Sequence, residues 1–251
     1  MAEKHFHEQK KLTLDYLLPY LRARMADFDR CTVLEVGCAE AGFLDVLHER
    51  GQRAVGLELE GSRIDIAKRM NPALEIHEGD ITAPDTAARL GERFDLIVLR
   101  DIIEHVTERD AMFANLVDLL KPGGYLYVTF PPRYSAFAGH QQNGVSFLRY
   151  IPFLHLVPAV LLRPLGILMR EKADLIETVL HNYRTGLSIR AFEKLCGRHA
   201  FTPVVRDLFL FRPVYAIRFG LKTRRMADIP LMREFFTLGC EVLLRRIDVL
   251  E

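Results

Sequence analysis

Through the first 130 residues, short apolar runs alternate with stretches whose apolar positions recur every three or four residues. Residues 32–36, 53–59, 74–77, 94–99 and 125–130 read as five strands, the fourth a continuous run apolar but for Asp95, as suits a parallel strand covered on both faces. The intervening stretches read as helices. Phe43, Leu44, Val46 and Leu47 share one face, and Gly51 ends that helix. Ser62 is the expected cap of a helix carrying Ile66, Ala67 and Met70. Thr107 and Asp110 resemble a capping box opening a helix with Met112, Phe113, Leu116, Val117 and Leu120 inward. Ahead of the first strand, residues 5–28 predict an amphipathic helix with Leu14, Leu17, Leu18, Leu21 and Met25 on one side, kinked or split at Pro19. Packing against the sheet is its expected role, and a lid over a ligand the alternative.

The alternation breaks after the fifth strand. Residues 131–187 predict an inserted cap within a single domain spanning 1–251, with 1–30 as its N-terminal helix. Its most apolar part, 145–169, is interrupted by Arg149, His155 and Arg163 and by Pro152, Pro158 and Pro164, which rules against a spanning helix. Two short helices covering a site are expected. Peripheral membrane contact through 145–169, with Arg149, Arg163 and Arg170 at the interface, is one alternative; a homodimer face is another. Ser188 caps a helix over 189–199, and 201–211 holds a strand. Residues 214–219 form either a further strand or a helical turn opened by Pro213. Residues 230–246 read as a final helix, proline in its first turn and Arg245 and Arg246 at its end.

Charge and cysteine content narrow the function. Lys and Arg number 34 against 33 Asp and Glu, which lacks the basic excess of a general nucleic-acid grip. Cys31, Cys38, Cys196 and Cys240 show neither a disulfide framework nor a metal-ligand spacing. No metal site is expected, and a reduced, cytoplasmic setting follows. The first thirty residues are polar, without a signal-segment pattern.

The chemistry gathers at the turn after the first strand. Gly37, Ala39, Ala41 and Gly42 allow close approach of a ligand to the backbone. Glu35 closes the strand just before them. A buried carboxylate there calls for a cation or good donors, so a ligand with a cationic centre suits this turn better than a pyrophosphate. Glu35-x-Gly37-x-Ala39-x-Ala41 resembles the first motif of class I S-adenosylmethionine-dependent methyltransferases. The family usually has glycine where Ala39 and Ala41 stand; a methyl group is tolerated there at negative φ and strained at positive φ. The resemblance continues at Glu58, Gly79-Asp80, the Glu104-His105-Val106 ending and Leu120-Lys121-Pro122-Gly123-Gly124, in family order across residues 32–130.

This resemblance implies an α/β, Rossmann-like, seven-stranded and mostly parallel sheet, helices on both faces, an antiparallel last strand and S-adenosyl-L-methionine as cofactor. The implied cofactor residues are Glu35, Gly37, Cys38, Ala39, Glu58, Leu59, Asp80, Ile81, Arg100 and Asp101. Glu58 would take the ribose hydroxyls, with Glu60 as alternative, and Asp80 and Ile81 the adenine. Pro131-Pro132-x-Tyr134-Ser135 followed by Gly139-His140 resembles a set of bacterial methyltransferases of mostly unassigned substrate.

Methyl transfer from a sulfonium is mainly a matter of holding three atoms in line. A neutral hydroxyl acceptor also benefits from a base near pH 7. His140 is the leading candidate, with His105 and His181 behind it. The expected activity is methylation, at oxygen first, of a small apolar or aromatic-bearing molecule. The rival readings are a nicotinamide-dependent oxidoreductase, with Gly37-x-Ala39-x-x-Gly42 as a degraded fingerprint, and a non-catalytic scaffold that keeps the fold.

Overall fold

The structure, a computed structural model, describes residues 2–247; residue 1 and residues 248–251 of the expected domain lie outside the described residues. The chain opens with α1 (Ala2–Leu12), a π-helical turn at Thr13–Leu17 and α2 (Leu18–Arg22). Pro19 has no N–H to offer the Asp15 carbonyl, and its ring crowds that oxygen. The widened turn accommodates it, so the helical run bends through the proline instead of stopping. Leu17, Leu18, Leu21 and Met25 are buried as expected, whereas Leu14 faces solvent at 43% exposure.

β1 (Val33–Val36), α3 (Gly42–Glu49), β2 (Ala54–Glu58), α4 (Gly61–Met70), β3 (Glu75–Glu78), α5 (Thr86–Leu90), β4 (Phe94–Arg100), α6 (Arg109–Leu119) and β5 (Leu120–Phe130) follow. Two helix starts differ from expectation. Glu60 takes the N-cap position of α4 and Ser62 lies inside the helix; Glu108 precedes α6, and Thr107 donates to Glu108 rather than pairing with Asp110.

The insertion consists of three 3₁₀ turns followed by α7 (Ala159–Leu168) and α8 (Ala173–Thr185). It has a core of its own, built from Leu148, Leu154, Leu162, Ile176 and Val179. Then come α9 (Ile189–Arg198), capped by the Ser188 hydroxyl, β6 (Phe201–Phe211), α10 (Pro213–Phe219), β7 (Arg224–Arg225), α11 (Met232–Phe236) and β8 (Gly239–Arg246). The stretch at 214–219 is thus the helical turn opened by Pro213, not a strand.

The expected final helix over 230–246 is replaced by short α11 and β8. Every residue from Gly239 to Leu244 is buried, because β8 inserts between two strands and is covered on both faces. Such a run carries no two-residue period and cannot be told from a helix by pattern.

Among the described residues the sheet has eight strands in the order β3-β2-β1-β4-β5-β8-β6-β7; the eighth, beyond the seven expected, is two-residue β7. β1 to β5 pair in parallel, and β8 runs antiparallel to both β5 and β6. One face carries a core containing Leu34, Ile97, Leu99 and Phe113; the other carries Val33, Val98, Phe43 and Leu21, against the N-terminal helices.

Candidate active site

Strand order reverses direction between β1 and β4, so the carboxyl ends of these strands open a crevice. The turn after β1 forms its floor. Gly37, Ala39 and Ala41 all have positive φ, at 68°, 54° and 62°. The left-handed conformation costs a residue with a Cβ about 1–2 kcal/mol, so of the two cases left open by the sequence the strained one holds at both alanines. Side chains hold the turn in place: Ala39 N–H donates to Glu58 Oε2 at 2.7 Å, and Gly42 N–H donates to Gln9 Oε1 of α1 at 2.8 Å. Gly37 is required for space as well. A Cβ on it would lie 2.3 Å from Ile102 Cδ1.

Two cavities, of 240 and 500 Å³, meet at Gly37, Arg63, Asp101 and Ile102. The larger is lined by Glu58, Leu59, Asp80, Ile81 and His105. The smaller runs under α1 and is lined by Glu35, Ala39, Arg100, Tyr16, Glu241 and Arg212 among others. Residues 131–187 line neither. The covering role expected of the insertion falls to α1, whose Glu8, Gln9 and Leu12 wall the smaller cavity.

Glu35 is 1% exposed. Burial pushes its carboxyl above the usual range, and Arg100 opposes this by donating from Nε to Oε1 at 2.9 Å. Its other oxygen, Oε2, has no hydrogen-bond partner. Asp101, at φ 57°, accepts from Arg212 Nη2 at 2.6 and 2.8 Å. Burial works against its charge, but the guanidinium prevails and holds its carboxyl below the usual range.

Glu58 accepts from three main-chain N–H groups, those of Ala39, Leu59 and Glu60. It is therefore a clasp for the turn, leaving about one of a carboxylate's four acceptor directions. Asp80 sits exposed at the rim, its Oδ1 accepting from the Thr82 N–H and hydroxyl at 2.8 Å each. Ile81 is buried beside it. Cys38 is buried and lines neither cavity; only its backbone takes part.

The three histidines separate. His105 lines the larger cavity, and His140 packs against it with ring centroids 5.4 Å apart. His140 lines neither cavity, and His181 is exposed and lines neither. The surrounding protein, and then His140, push the His105 imidazole down to about 4; burial also lowers His140, with Asp101 opposing. Sequence reasoning passed over Gln9, Tyr16, Arg212 and Glu241 as wall residues. Arg212 lies 111 positions from its partner Asp101, and no local pattern links them.

The methyltransferase-domain family profile matches residues 2–159. A ubiquinone biosynthesis O-methyltransferase of Mesorhizobium japonicum is 25% identical over 160 residues, 58% of this chain and 62% of that protein. One from Coxiella burnetii is 31% identical over 101 residues, 38% of this chain and 41% of that protein. The chain thus spans less than two thirds of the length of these relatives. Among solved structures, the plantazolicin methyltransferase BamL, in complex with a triazolic desmethylPZN analog and SAH, aligns with TM-score 0.61 at 12% identity, over 98% of this chain and 88% of that one. The magnesium protoporphyrin IX methyltransferase from Synechocystis, with bound SAH, aligns with TM-score 0.54 at 15% identity, over 98% and 85%. At these identities the likeness establishes the fold.

Proposed function

The chain belongs to the methyltransferase-domain family, and on that premise we propose that it is an S-adenosylmethionine-dependent methyltransferase acting on oxygen of a small, apolar or aromatic-bearing acceptor. The observation that carries the reading is the unpartnered Oε2 of Glu35 beside the turn, in a cavity it shares with Arg100. An amino-acid end with both an ammonium and a carboxylate matches that pair. A pyrophosphate would meet an uncompensated acidic oxygen, which disfavours the nicotinamide reading. The residues present fit the cofactor: Asp80 and Ile81 for the adenine, Glu58 for a ribose hydroxyl, Glu35 and Arg100 for the amino-acid end. When bound, it would supply a methyl group on a positively charged sulfur.

The smaller cavity, with Tyr16, Tyr127 and Phe209 in its walls, suits an aromatic acceptor. An acceptor in the smaller cavity would present its hydroxyl where the two cavities meet, at Gly37, Asp101 and Ile102, and His105 lines the larger cavity beyond that junction with His140 packed edge-on against it, so His105 takes the acceptor proton there and His140 orients its ring. This reverses the order expected from sequence. Removing a general base lowers turnover about 10²–10⁴-fold. The test pairs His105→Ala with His140→Ala: turnover falls while affinity for S-adenosylhomocysteine stays. A fully active His105→Ala variant removes the base assignment.

For the insertion we propose a peripheral membrane contact. Val160, Leu161, Ile167 and Leu168 of α7 are 59–80% exposed, Phe147 and Tyr150 are exposed in an earlier 3₁₀ turn, and Arg149 and Arg170 are exposed beside them, while Arg163 within α7 is paired with Glu177. No helix among the described residues is long and apolar enough to cross a membrane. Apolar residues rimmed by arginines fit an anionic lipid surface. Co-sedimentation with phosphatidylglycerol vesicles, reduced by Ile167→Asp/Leu168→Asp, supports the contact. A dimer in solution that the same change splits, with no vesicle binding, replaces it.

A further inference from the structure

Glu104, in the turn after β4, is 5% exposed, and neither of its carboxylate oxygens has a hydrogen-bond partner. The nearby guanidinium groups are engaged elsewhere. Arg212 holds Asp101, and Arg109 donates to the main-chain oxygens of Ile103 and Thr185. A carboxylate so placed is a costly arrangement unless a cation reaches it. Two imidazoles converge on the same point. One ligand atom from each of Glu104, His105 and His140 lies within 4.8 Å of the others, and Glu104 Oε1 is 3.9 Å from His105 Nε2.

We infer that Glu104, His105 and His140 form a binding site for one divalent transition cation of the zinc class. Two imidazoles and a carboxylate are a donor set that suits such ions and disfavours magnesium and calcium, which prefer all-oxygen sites. At about 2.1 Å from each ligand, a tetrahedral ion sets its ligand atoms about 3.4 Å apart. The three groups therefore close by about 1.4 Å at most. Three protein ligands leave a position open, as in sites where a metal acts on a bound molecule. Here that position adjoins the crevice that His105 lines. The sequence gives no warning, because His140 comes from the insertion, 35 positions beyond His105, and the loops alone bring it back.

The inference deepens the methyl-transfer reading and in one respect rests on it. A nitrogen bound to metal has no lone pair for a proton. Cation and base are thus alternative ways of making an acceptor oxygen nucleophilic, the cation by lowering the hydroxyl's pKa. The binding claim stands without the acceptor.

The test uses the untagged chain, stripped with chelator, and the metals alone. Zn²⁺ is titrated in competition with a chromophoric chelator, and Co²⁺ is followed by its visible absorption. One Zn²⁺ per chain is expected, with Co²⁺ bands of a nitrogen- and oxygen-ligated site. Glu104→Gln, His105→Asn and His140→Ala should each weaken Zn²⁺ binding more than about 100-fold, since even changes outside the ligand set cost 10–100-fold. Unaltered thermal melts of the metal-free variants establish that they fold. Zn²⁺ bound equally by wild type and the three variants, or not at all, overturns the inference. Calorimetry with S-adenosylhomocysteine on the same samples separates that failure from a failure of the methyl-transfer reading.

Discussion

Arg100 at the end of β4 reaches across to Glu35 on β1, donating from Nε to Oε1 at 2.9 Å, and the carboxylate it meets is 1% exposed. The parallel register sets Val98 opposite Glu35, so Arg100 stands two positions further along and the two charges emerge on the same face. Phe43 lies under the guanidinium at 5.3 Å. This pair fixes the polar end of the crevice.

Arg100→Leu is expected to destabilise the fold by about 3–5 kcal/mol, because it strands a buried charge. Glu35→Gln/Arg100→Leu should recover much of that loss. Urea unfolding of the single and double variants measures both. A loss below about 1 kcal/mol in the single variant would mean that Glu35 is held neutral and does not depend on its partner.

Gly37→Ala tests the turn. Its φ of 68° costs a Cβ-bearing residue about 1–2 kcal/mol, and the new methyl must push aside Ile102, which lines both cavities. Stability should fall by at least that amount and affinity for S-adenosylhomocysteine by about 10-fold or more. Ile102→Ala in the same chain should restore space but leave the backbone strain. Unchanged affinity in Gly37→Ala would place the cofactor elsewhere.

Glu241 gives a pH signature. It is 3% exposed, burial pushes its carboxyl up to about 7, and the Tyr16 hydroxyl, donating at 2.8 Å, limits the rise. The folded chain therefore binds this proton more tightly than the unfolded one. Its contribution is fully present below the ordinary carboxyl value near 4.5 and is lost as pH rises towards 7, about 3 kcal/mol in all. Urea midpoints across that window, for wild type and Glu241→Gln, isolate the slope. The variant should lack it; an identical pH profile in both would refute the assignment.

What could be read from the sequence divides along the chain. The strands from β1 to β5 and the acidic residues that end β1 and β2 were legible because each lies in a local pattern of five to fifteen residues. β8 was not. Its Cys240-Glu241-Val242-Leu243-Leu244 run is buried throughout, and its strand character comes from pairing with Tyr125–Phe130 and Phe201–Phe209, which only the folded sheet supplies. The same limit applies to the site. Asp80 was visible in its Gly-Asp turn, but Glu241 was hidden inside β8. The convergence of His140 on Glu104 depends on the path of an insertion whose composition fits several paths. His140 was singled out from its loop, yet its ring packs behind His105 rather than in a cavity.

The central claim is that the crevice takes a nucleoside through its rim acids and a sulfur-borne amino acid through Glu35 and Arg100. Calorimetric titration of the wild type and Asp80→Ala with S-adenosylhomocysteine and, separately, with NAD⁺ tests it most directly. The account predicts one-site binding of S-adenosylhomocysteine, weakened about 10–100-fold in Asp80→Ala as a hydrogen bond to a charged group is lost, and no heat with NAD⁺. Binding of NAD⁺ with none of S-adenosylhomocysteine would contradict it.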